Sequence, residues 1–448
     1  MKILIISEYI APFQSIASVR WTKIAKYMKQ QHPEVEITVL TNKKDYKLGE
    51  VTAQYVRKDE LLEKELQYFD GYWEIPQDFY LKAYHYLKNA KNKGEAGFFA
   101  RKKMTSTVSF AQKIRVICFD TFHDMKDKLW ERQVRKSLSP RFFDFDIVIS
   151  TYGPFWTHMV AKHIKDKNPD IIWLADFRDN YAGESDSPSA YKRHKEYTLK
   201  YCASADIIIR VIDELETFTP CSIPVHTVPN GFDPEERLDP MPPKKFSIVF
   251  TGMLYGTFRD IGIVGKAVSE LCEEGFLSKN DVEIAYAGQH GDIARSLMAE
   301  YHAEGYIHDY GIVPRTHALK MQQYAAILLQ LNWNTQRDKC GWSGKMYEYM
   351  MAQKPILYVV TGDVPYSAPS REIYHLGGCC YEQCRHEETY PQMKAYILKK
   401  YQEWKNTGNV SVQQDREYID QYSYVHISQR IWNLMERSIE GKENGNQQ

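Results

Sequence analysis

The chain has 448 residues, a mean hydropathy of −0.52, and 58 Lys and Arg residues against 58 Asp and Glu residues. This length predicts two to three domains, each with a core of its own. The zero net charge argues against a general polyanion binder. No apolar run reaches the roughly 18–20 residues that a membrane-spanning helix needs.

The first half of the chain alternates short Ile- and Val-rich runs with helical patterns. Continuous apolar runs of this kind are typical of strands buried on both faces of a parallel sheet. A predicted helix at residues 18–29 follows the first strand, so the loop at residues 8–17 lies at the strand's carboxyl end, where such sheets bind ligands. The predicted strands are Lys2–Ile6, Val35–Leu40, Asp146–Ser150, Ile171–Ala175 and Asp206–Val211.

Residues 43–141 interrupt this alternation, because they are polar, helical and aromatic in pattern and contain no convincing buried strand. Residues 88–141 carry 14 Lys and Arg against five Asp and Glu, which gives a local charge of +9. Basic residues beside exposed aromatic side chains would suit an anionic membrane surface; a solvated helical insertion is the alternative. The aromatic residues of this segment are Phe98, Phe99, Phe110, Phe119, Phe122 and Trp130.

Prolines and charges replace the apolar periodicity at residues 235–245, a composition typical of an interdomain linker. The strand pattern then restarts at Phe246–Thr251, Val282–Ala287, Ile327–Leu331 and Pro355–Val360. We therefore predict an α/β protein of two doubly wound domains, residues 1–234 and 246–420, that face each other across a cleft. Residues 421–448 are expected to form a helix that packs back on the first domain, followed by a polar tail.

The eight cysteines are not spaced as zinc ligands, and free thiols are usual in a reducing compartment. Asp144 and Asp146 have the spacing of an Asp-x-Asp metal motif, but they open a predicted strand and are interpreted as a cap. The first residues lack the apolar region and cleavage site of a signal peptide. We expect no metal site and a cytoplasmic protein, either free or in peripheral contact with the inner face of the membrane.

A glycine-containing turn before a predicted helix carries the clearest chemical signal. The helix begins near Ser343 and Gly344, with Lys345 in its first turn and Glu348 on the same face. Free amides, the helix dipole and the lysine charge all favour an anion there. A lysine for phosphate beside a carboxylate for sugar hydroxyls suits a nucleotide sugar. The alternative is a capped helix with a surface Lys–Glu pair.

This motif and four others, in the same order, resemble the family 4 glycosyltransferases. The resemblance implies the GT-B fold, with two Rossmann-like domains and the donor held mainly by the second. It also implies retention of anomeric configuration without a cofactor or a required metal. The five blocks span most of the chain outside residues 43–141: residues 2–12 with Arg20-Trp21, then 173–179, 226–233, 250–260 and 341–357.

The resemblance implies roles in the second domain. Arg259 and Lys345, with the amides of Ser343 and Gly344, would neutralise the leaving diphosphate, and Glu348 would bind the ribose. An exposed loop arginine is the alternative for Arg259. Two further positions complete the donor site: Gly252, where a side chain would obstruct the diphosphate, and Val313, in a loop that packs the nucleobase or is a plain strand-to-helix turn.

In the first domain, the resemblance implies that His158 contacts the donor sugar during catalysis, although a lone histidine is more often structural. The alternative for Arg178 and Asp179 is a structural ion pair, and Arg20 could equally bond its own surroundings. The predicted acceptor-binding residues are Glu8, Arg20, Asp176, Arg178 and Asp179.

The predicted function is transfer of a hexosyl or N-acetylhexosaminyl group from a UDP- or GDP-sugar to a hydroxyl of a lipid-linked or saccharide acceptor. Such a reaction would serve cell-surface polysaccharide or glycolipid synthesis, without nucleic acid. Cys340 stands where the family pattern has a glutamate that contacts the transferred sugar, which favours a catalytically silent sugar-nucleotide-binding scaffold as one alternative. A nucleotide-sugar 2-epimerase of the same fold is another.

Overall fold

The computed structural model describes residues 1–13, 15–43, 58–83, 125–179, 181, 188–213, 215–336 and 338–445. The chain divides into two compact units, residues 1–230 with 424–448, and residues 231–423. Each unit is built on one parallel sheet. Within the described ranges, no helix is long and apolar enough to span a bilayer.

The first unit contains a seven-stranded sheet in the order β3-β2-β1-β4-β5-β6-β7, and every pairing is parallel. The strand order reverses between β1 and β4, and loops at such a reversal are where open α/β sheets bind ligands. The strands are β1 (Lys2–Ile6), β2 (Glu36–Asn42), β3 (Gly71–Ile75), β4 (Ile147–Thr151), β5 (Ile172–Phe177), β6 (Ile207–Arg210) and β7 (Val225–Thr227).

Helices cover this sheet as the strand–helix alternation predicts. The central strands are completely or almost completely buried, because helices pack on both of their faces. Residues 125–137 are also helical. Further helices within residues 1–230 are α1 (Ile16–Gln31), α2 (Glu60–Glu63), α3 (Trp156–Lys167) and α4 (Pro188–Tyr201).

The segment at residues 43–141 contributes one strand, β3, to this sheet. This strand lies within residues 43–141, yet it pairs in parallel with β2, with Thr38 opposite Gly71 and Asn42 opposite Ile75. Only Ile75 of the strand is buried, as expected at a sheet edge with few apolar residues. The segment therefore contains a strand that the apolar pattern did not predict, although only one residue of that strand is buried.

Trp130 also departs from its prediction. Its side chain is buried in the core of the first unit and stacks on Trp156 with 6.0 Å between ring centroids, so it is not a surface aromatic. The other five aromatic residues predicted for that surface lie outside the described residues: Phe98, Phe99, Phe110, Phe119 and Phe122.

The second unit contains a six-stranded parallel sheet in the order β10-β9-β8-β11-β12-β13. Its strands are β8 (Phe246–Thr251), β9 (Val282–Ala287), β10 (Ile307–Asp309), β11 (Ile327–Trp333), β12 (Ile356–Thr361) and β13 (Cys379–Glu382). Its helices are α5 (Gly262–Glu273), α6 (Gly291–Ala299), α7 (Arg315–Gln323), α8 (Gly344–Ala352), α9 (Ala368–Glu372), α10 (His386–Thr407) and α11 (Arg416–Asp420).

The proline-rich segment before β8 packs on the second unit. The Met241 amide donates to the Gln323 carbonyl at 3.0 Å, and Trp404 Nε1 donates to the Pro243 carbonyl at 2.9 Å. Lys354 Nζ also donates to the Met241 carbonyl. Proline lacks an amide hydrogen but keeps its carbonyl oxygen. Carbonyl oxygens of this segment can therefore accept hydrogen bonds that hold it against the second unit. Residues 231–245 accordingly belong to the second unit.

The chain ends on α12 (Tyr424–Gly445), which belongs to the first unit. The helix packs along α1, and Trp432 stacks on His32 with 3.6 Å between ring centroids and a 9° angle between the rings. Ile427 and Ile431 are completely buried in the same core as β1 and α1. The core of the first unit is therefore assembled from both ends of the sequence.

Candidate functional site

The amino terminus of α8 forms one wall of the site in the second unit. Ser343 is the N-cap residue, with extended backbone angles, but its side chain makes no capping hydrogen bond. Its Oγ atom is buried and has no hydrogen-bond partner. An N-cap serine normally satisfies an amide of the first turn, so this helix end is open to an anionic ligand, at Gly344 and Lys345.

Gly252 follows β8 and lies directly beneath the end of Lys345. A Cβ atom at Gly252 would come within 2.1 Å of Lys345 Nζ. The residue also has φ of +151°, and its amide donates to the Ala287 carbonyl at 2.7 Å. The sequence predicts a glycine that leaves room for a diphosphate; in the structure that room is occupied by the lysine.

Arg259 is fixed beside Gly252 and is only 7% exposed, so the alternative of an exposed loop arginine is wrong. Its Nη1 donates to the Met253 carbonyl at 2.7 Å, while its Nε is buried without a partner. The guanidinium lies 4.6 Å from the ring centroid of Tyr255 and 5.5 Å from that of Trp333. It therefore has unused donors and a rigid position.

Arg259 and Lys345 are two cations without a carboxylate partner among the described residues. Loss of water around the half-buried Lys345, followed by the positive charge of Arg259, lowers the lysine pKa to about 7, and Glu348 opposes this effect. Burial also lowers the pKa of Arg259. Uncompensated buried charge is costly, so a bound anion would stabilise this arrangement.

Glu348 pairs with α7 rather than with Lys345, so the alternative of a surface Lys–Glu pair is wrong. Its Oε1 accepts from Arg315 Nε at 3.2 Å, and its Oε2 accepts from Gln322 Nε2 at 3.3 Å. Arg315 also pairs with Glu236 at 2.6 Å. A carboxylate has about four acceptor positions, which leaves two for further donors. Arg315 and Gln322 hold the Glu348 carboxylate in place. The sequence could not predict this, because it does not show that α7 packs beside α8.

Val313 and Cys340, the other two residues of this unit singled out in the sequence, make none of the contacts described above. Val313 is half-buried in the turn between β10 and α7, beside the exposed Ile312, and its role stays a prediction. Cys340 is buried, with Sγ 3.8 Å from the Tyr358 hydroxyl. Burial raises the pKa of its thiol to about 12, so a neutral thiol stands at the position of the family's glutamate.

In the first unit, Arg20 and Asp176 form a completely buried pair. Arg20 binds both carboxylate oxygens, at 3.0 and 3.2 Å, and Asp176 also accepts from Trp21 Nε1 and Thr151 Oγ1. The remaining Arg20 donors bind the carbonyls of Val228 and Pro229 and Oδ1 of Asn230. The pair has no capacity left for a ligand, so the predicted acceptor role of both residues does not hold.

The other predicted acceptor residues differ in exposure. Glu8 is buried and accepts from Trp156 Nε1 at 2.9 Å. Arg178 is half-buried and donates to Thr151 Oγ1 and to the Tyr152 carbonyl, while Asp179 is exposed. No ion pair joins Arg178 to Asp179 in the described part of the chain, so that alternative is wrong.

His158 does not reach a ligand-facing surface. The ring is completely buried among Tyr152, Phe155 and Phe177, with Nδ1 at 2.7 Å from Ser150 Oγ. Burial lowers its pKa to about 3, so the imidazole is neutral. The predicted contact with a donor sugar is not supported, and the structural alternative agrees with this packing.

Comparisons with known proteins give similarity in structure only. No protein-family model matches the sequence, and no curated protein matches it. The lipopolysaccharide outer core galactosyltransferase WaaB is 11% identical, with a TM-score of 0.53 over 99% of this chain and 100% of that chain. Sucrose-phosphate synthase from Thermosynechococcus elongatus is 10% identical, with a TM-score of 0.59 over 98% of this chain and 100% of that one.

A third structure is the pneumococcal O-GlcNAc transferase GtfA in complex with UDP and GlcNAc, which is 12% identical, with a TM-score of 0.51 over 98% of this chain and 99% of that chain. Identities this low establish likeness of fold alone. The two parallel sheets of this chain correspond to the two Rossmann-like domains of these GT-B structures, which confirms the predicted fold class. The chain has the GT-B fold.

Proposed function

We propose that the protein is a glycosyltransferase that moves a sugar from a nucleoside diphosphate sugar to a hydroxyl acceptor. The observation that carries this proposal is a pair of cations, Arg259 and Lys345, that have no carboxylate partner among the described residues. They lie at the carboxyl end of β8 and the amino terminus of α8. A diphosphate supplies the negative charge that this arrangement lacks. The fold shared with proteins named as transferases supports the same choice.

The two cations and the first-turn amides would stabilise the diphosphate as it leaves the sugar. In the retaining, front-face reaction that we propose, the bond from the anomeric carbon to the phosphate oxygen breaks as the acceptor oxygen bonds to that carbon. The acceptor's proton passes to the leaving phosphate oxygen. No protein nucleophile is needed, and Arg259 with Lys345 supplies the positive charge that a metal would otherwise provide.

The rest of the donor has candidate partners in the same unit. Glu348 would use its free acceptor positions for the ribose hydroxyls, and the loop containing Val313 would pack against the nucleobase of a UDP- or GDP-sugar. For the acceptor, we retain the exposed Asp179 and the half-buried Arg178. The buried Glu8, Arg20, Asp176 and His158 are better explained as supports of the first unit.

The deciding experiment combines binding and turnover. Thermal shift with UDP-, GDP- and ADP-sugars should identify a donor, because a ligand that binds only the native state raises the melting temperature. Lys345→Ala and Arg259→Ala should then each abolish transfer of that donor's sugar without loss of the fold. Lys399→Ala, on an exposed position of α10, is the matched control. Full turnover in either site variant would contradict the assignment.

Cys340 favours a second candidate function, a catalytically silent sugar-nucleotide-binding scaffold, because its buried thiol cannot act as a carboxylate. A 2-epimerase of the same fold is the third. Incubation of the purified protein with the bound nucleotide sugar separates the three. A transferase releases the nucleoside diphosphate, slowly by hydrolysis or quickly with acceptor; an epimerase changes the sugar without release; a scaffold does neither.

We also propose peripheral contact with anionic membrane through the described part of residues 43–141. Phe79 is 78% exposed, and its neighbour Tyr80 lies under the Arg132 guanidinium at 4.9 Å. Trp73 lies under the Arg141 guanidinium at 3.4 Å. Exposed aromatic rings beside arginines suit the headgroup region of a bilayer. This surface would bring the enzyme to a lipid-linked acceptor.

A further inference from the structure

Three aromatic side chains, Tyr255, Phe258 and Trp333, form a surface at the carboxyl end of the second unit's sheet. We call these three residues the aromatic platform. Trp333 contacts both of the others, with its ring centroid 5.8 Å from that of Tyr255 and 5.7 Å from that of Phe258. Tyr255 is 49% exposed and Phe258 is 55% exposed. The platform is therefore contiguous and open to solvent.

The aromatic platform lies directly beside Arg259, the candidate phosphate-binding arginine. Arg259 contacts both Tyr255 and Trp333 through its guanidinium, and its bond to the Met253 carbonyl holds it there. A phosphate bound to Arg259 would place the group attached to it against these rings. The platform thus adjoins the diphosphate position and contains no residue already assigned to the donor.

The turn that presents the rings is held in an unfavourable backbone conformation. Tyr255 has φ of +54°, in the left-handed region, and is followed by Gly256 at +67°. Residues other than glycine rarely adopt that region, because the Cβ atom comes too close to the backbone. Thr361, at the end of β12, donates its hydroxyl to the Phe258 carbonyl and ties the turn to the sheet. Strain of this kind persists where the surroundings fix the conformation.

The sheet order separates the platform from the nucleoside end of the proposed donor site. The loop of Val313 follows β10, and β10 and β9 lie on one side of β8. The platform is attached to β11 and β12, on the other side, through Trp333 and Thr361. With the diphosphate bound by Arg259 and Lys345 near the end of β8, the nucleoside and the sugar would extend in opposite directions.

We propose that the aromatic platform binds the sugar ring of the donor by stacking, an inference that rests on the proposed function. A pyranose ring has a face of C–H groups and a rim of hydroxyls. The C–H face can cover an exposed aromatic ring and release water from both surfaces, while the rim remains free to bind polar groups. The platform then contributes to affinity for the sugar and not to affinity for the nucleotide.

The test compares each nucleoside diphosphate with the corresponding nucleotide sugar. Isothermal titration calorimetry is run with UDP and UDP-glucose, and with GDP and GDP-mannose, on the wild-type protein and on Phe258→Ala. We expect affinity for the nucleotide sugar to fall about tenfold, the order found for removal of a single stacking ring, with affinity for the nucleotide unchanged. Phe258→Tyr should restore it. Phe276→Ala, equally exposed at 55% in the same unit, is the matched control.

Each result has a distinct meaning. Equal loss of affinity for nucleotide and nucleotide sugar would overturn the proposal in favour of a nucleobase contact. Unchanged affinity for both, with wild-type binding intact, would overturn the platform alone. Loss of turnover with a saccharide acceptor, without loss of donor affinity, would assign the platform to the acceptor and overturn the proposal. Failure of the wild-type protein to bind any UDP-, GDP- or ADP-sugar would overturn the proposed function together with the platform.

Discussion

Lys345 is the residue whose charge is most sensitive to the state of the site. Its pKa of about 7 applies without a ligand, and a diphosphate beside it would raise that pKa, because an opposite charge favours the ammonium form. Binding must therefore take up a proton at pH values above 7. We expect donor affinity to be full near pH 6 and to fall between pH 7 and 9.

The measurement is the dissociation constant of a nucleotide sugar from pH 6 to 9. A nucleotide sugar is preferable to a free diphosphate, because its phosphates do not titrate in this range. Lys345→Arg, whose side chain stays charged, should bind with little pH dependence. A flat wild-type profile would show that Lys345 is fully charged without ligand.

Replacement of Gly252 should weaken both donor binding and stability. Gly252→Ala places a Cβ atom where Lys345 Nζ now lies, and it also forces a side chain into a backbone conformation that favours glycine. We expect at least a tenfold loss of donor affinity, measured by calorimetry, together with a stability loss of about 1–2 kcal/mol in urea unfolding.

The control for Gly252→Ala is Gly275→Ala. Gly275 has φ of +76°, but a Cβ atom there would meet nothing within 4 Å. This variant should show the backbone cost alone, with donor affinity unchanged. If both variants lose affinity equally, the close approach of Lys345 to Gly252 has no role in binding.

The sequence was sufficient to predict that Gly252, Arg259 and Lys345 lie close together, but not which polar residues of the first unit are already fully hydrogen-bonded. Gly252, Arg259 and Lys345 are brought together as their motifs predict. Arg20 and Asp176 carry the same residue types that a ligand site would. Their hydrogen-bonding groups are already occupied by partners more than 100 positions away in the chain, and only the fold shows that these partners are close.

At the scale of elements, the apolar patterns predicted the central strands well and the sheet edges poorly. A central strand is buried on both faces and needs a continuous apolar run, whereas the edge strand β3 buries only Ile75. The end of β11 was also beyond the pattern, because Asn332 and Trp333 continue the strand past its apolar run. The second of these residues, Trp333, is the tryptophan of the aromatic platform.

The pairing of α12 with α1 gives a prediction for stability. Trp432 is almost completely buried and stacks on His32, so Trp432→Ala removes a large side chain from the core of the first unit. We expect a loss of about 3–5 kcal/mol in the free energy of unfolding, measured by urea denaturation. Tyr374→Ala, at an exposed position in the second unit, should change it little. A loss below about 1 kcal/mol would contradict the packing described.

At the scale of the whole molecule, the zero net charge is a cancellation between regions. Residues 88–141 carry +9, and the rest of the chain carries the compensating negative charge. Equal numbers of basic and acidic residues therefore exclude a uniformly basic protein, but they do not exclude a local basic surface. The arginines at 132 and 141, each against an aromatic ring, belong to the described part of that segment.

Vesicle sedimentation tests this surface. We expect binding to vesicles with 30% phosphatidylserine to exceed binding to pure phosphatidylcholine, and to weaken as salt rises. Arg132→Glu with Phe79→Ser should reduce it severalfold. Arg295→Glu with Phe276→Ser, in the second unit, is the matched control. Equal binding to the two vesicle types would refute a membrane role for this surface.

The first unit draws its core from both ends of the chain, and this sets an order for folding during synthesis. Residues 231–423 are made before α12, so the second unit has its whole sequence available first. The first 230 residues emerge earlier but must wait for Ile427, Ile431 and Trp432 to cover the α1 side of their sheet. Domains usually fold in the order in which they leave the ribosome; here the unit that begins first is completed last.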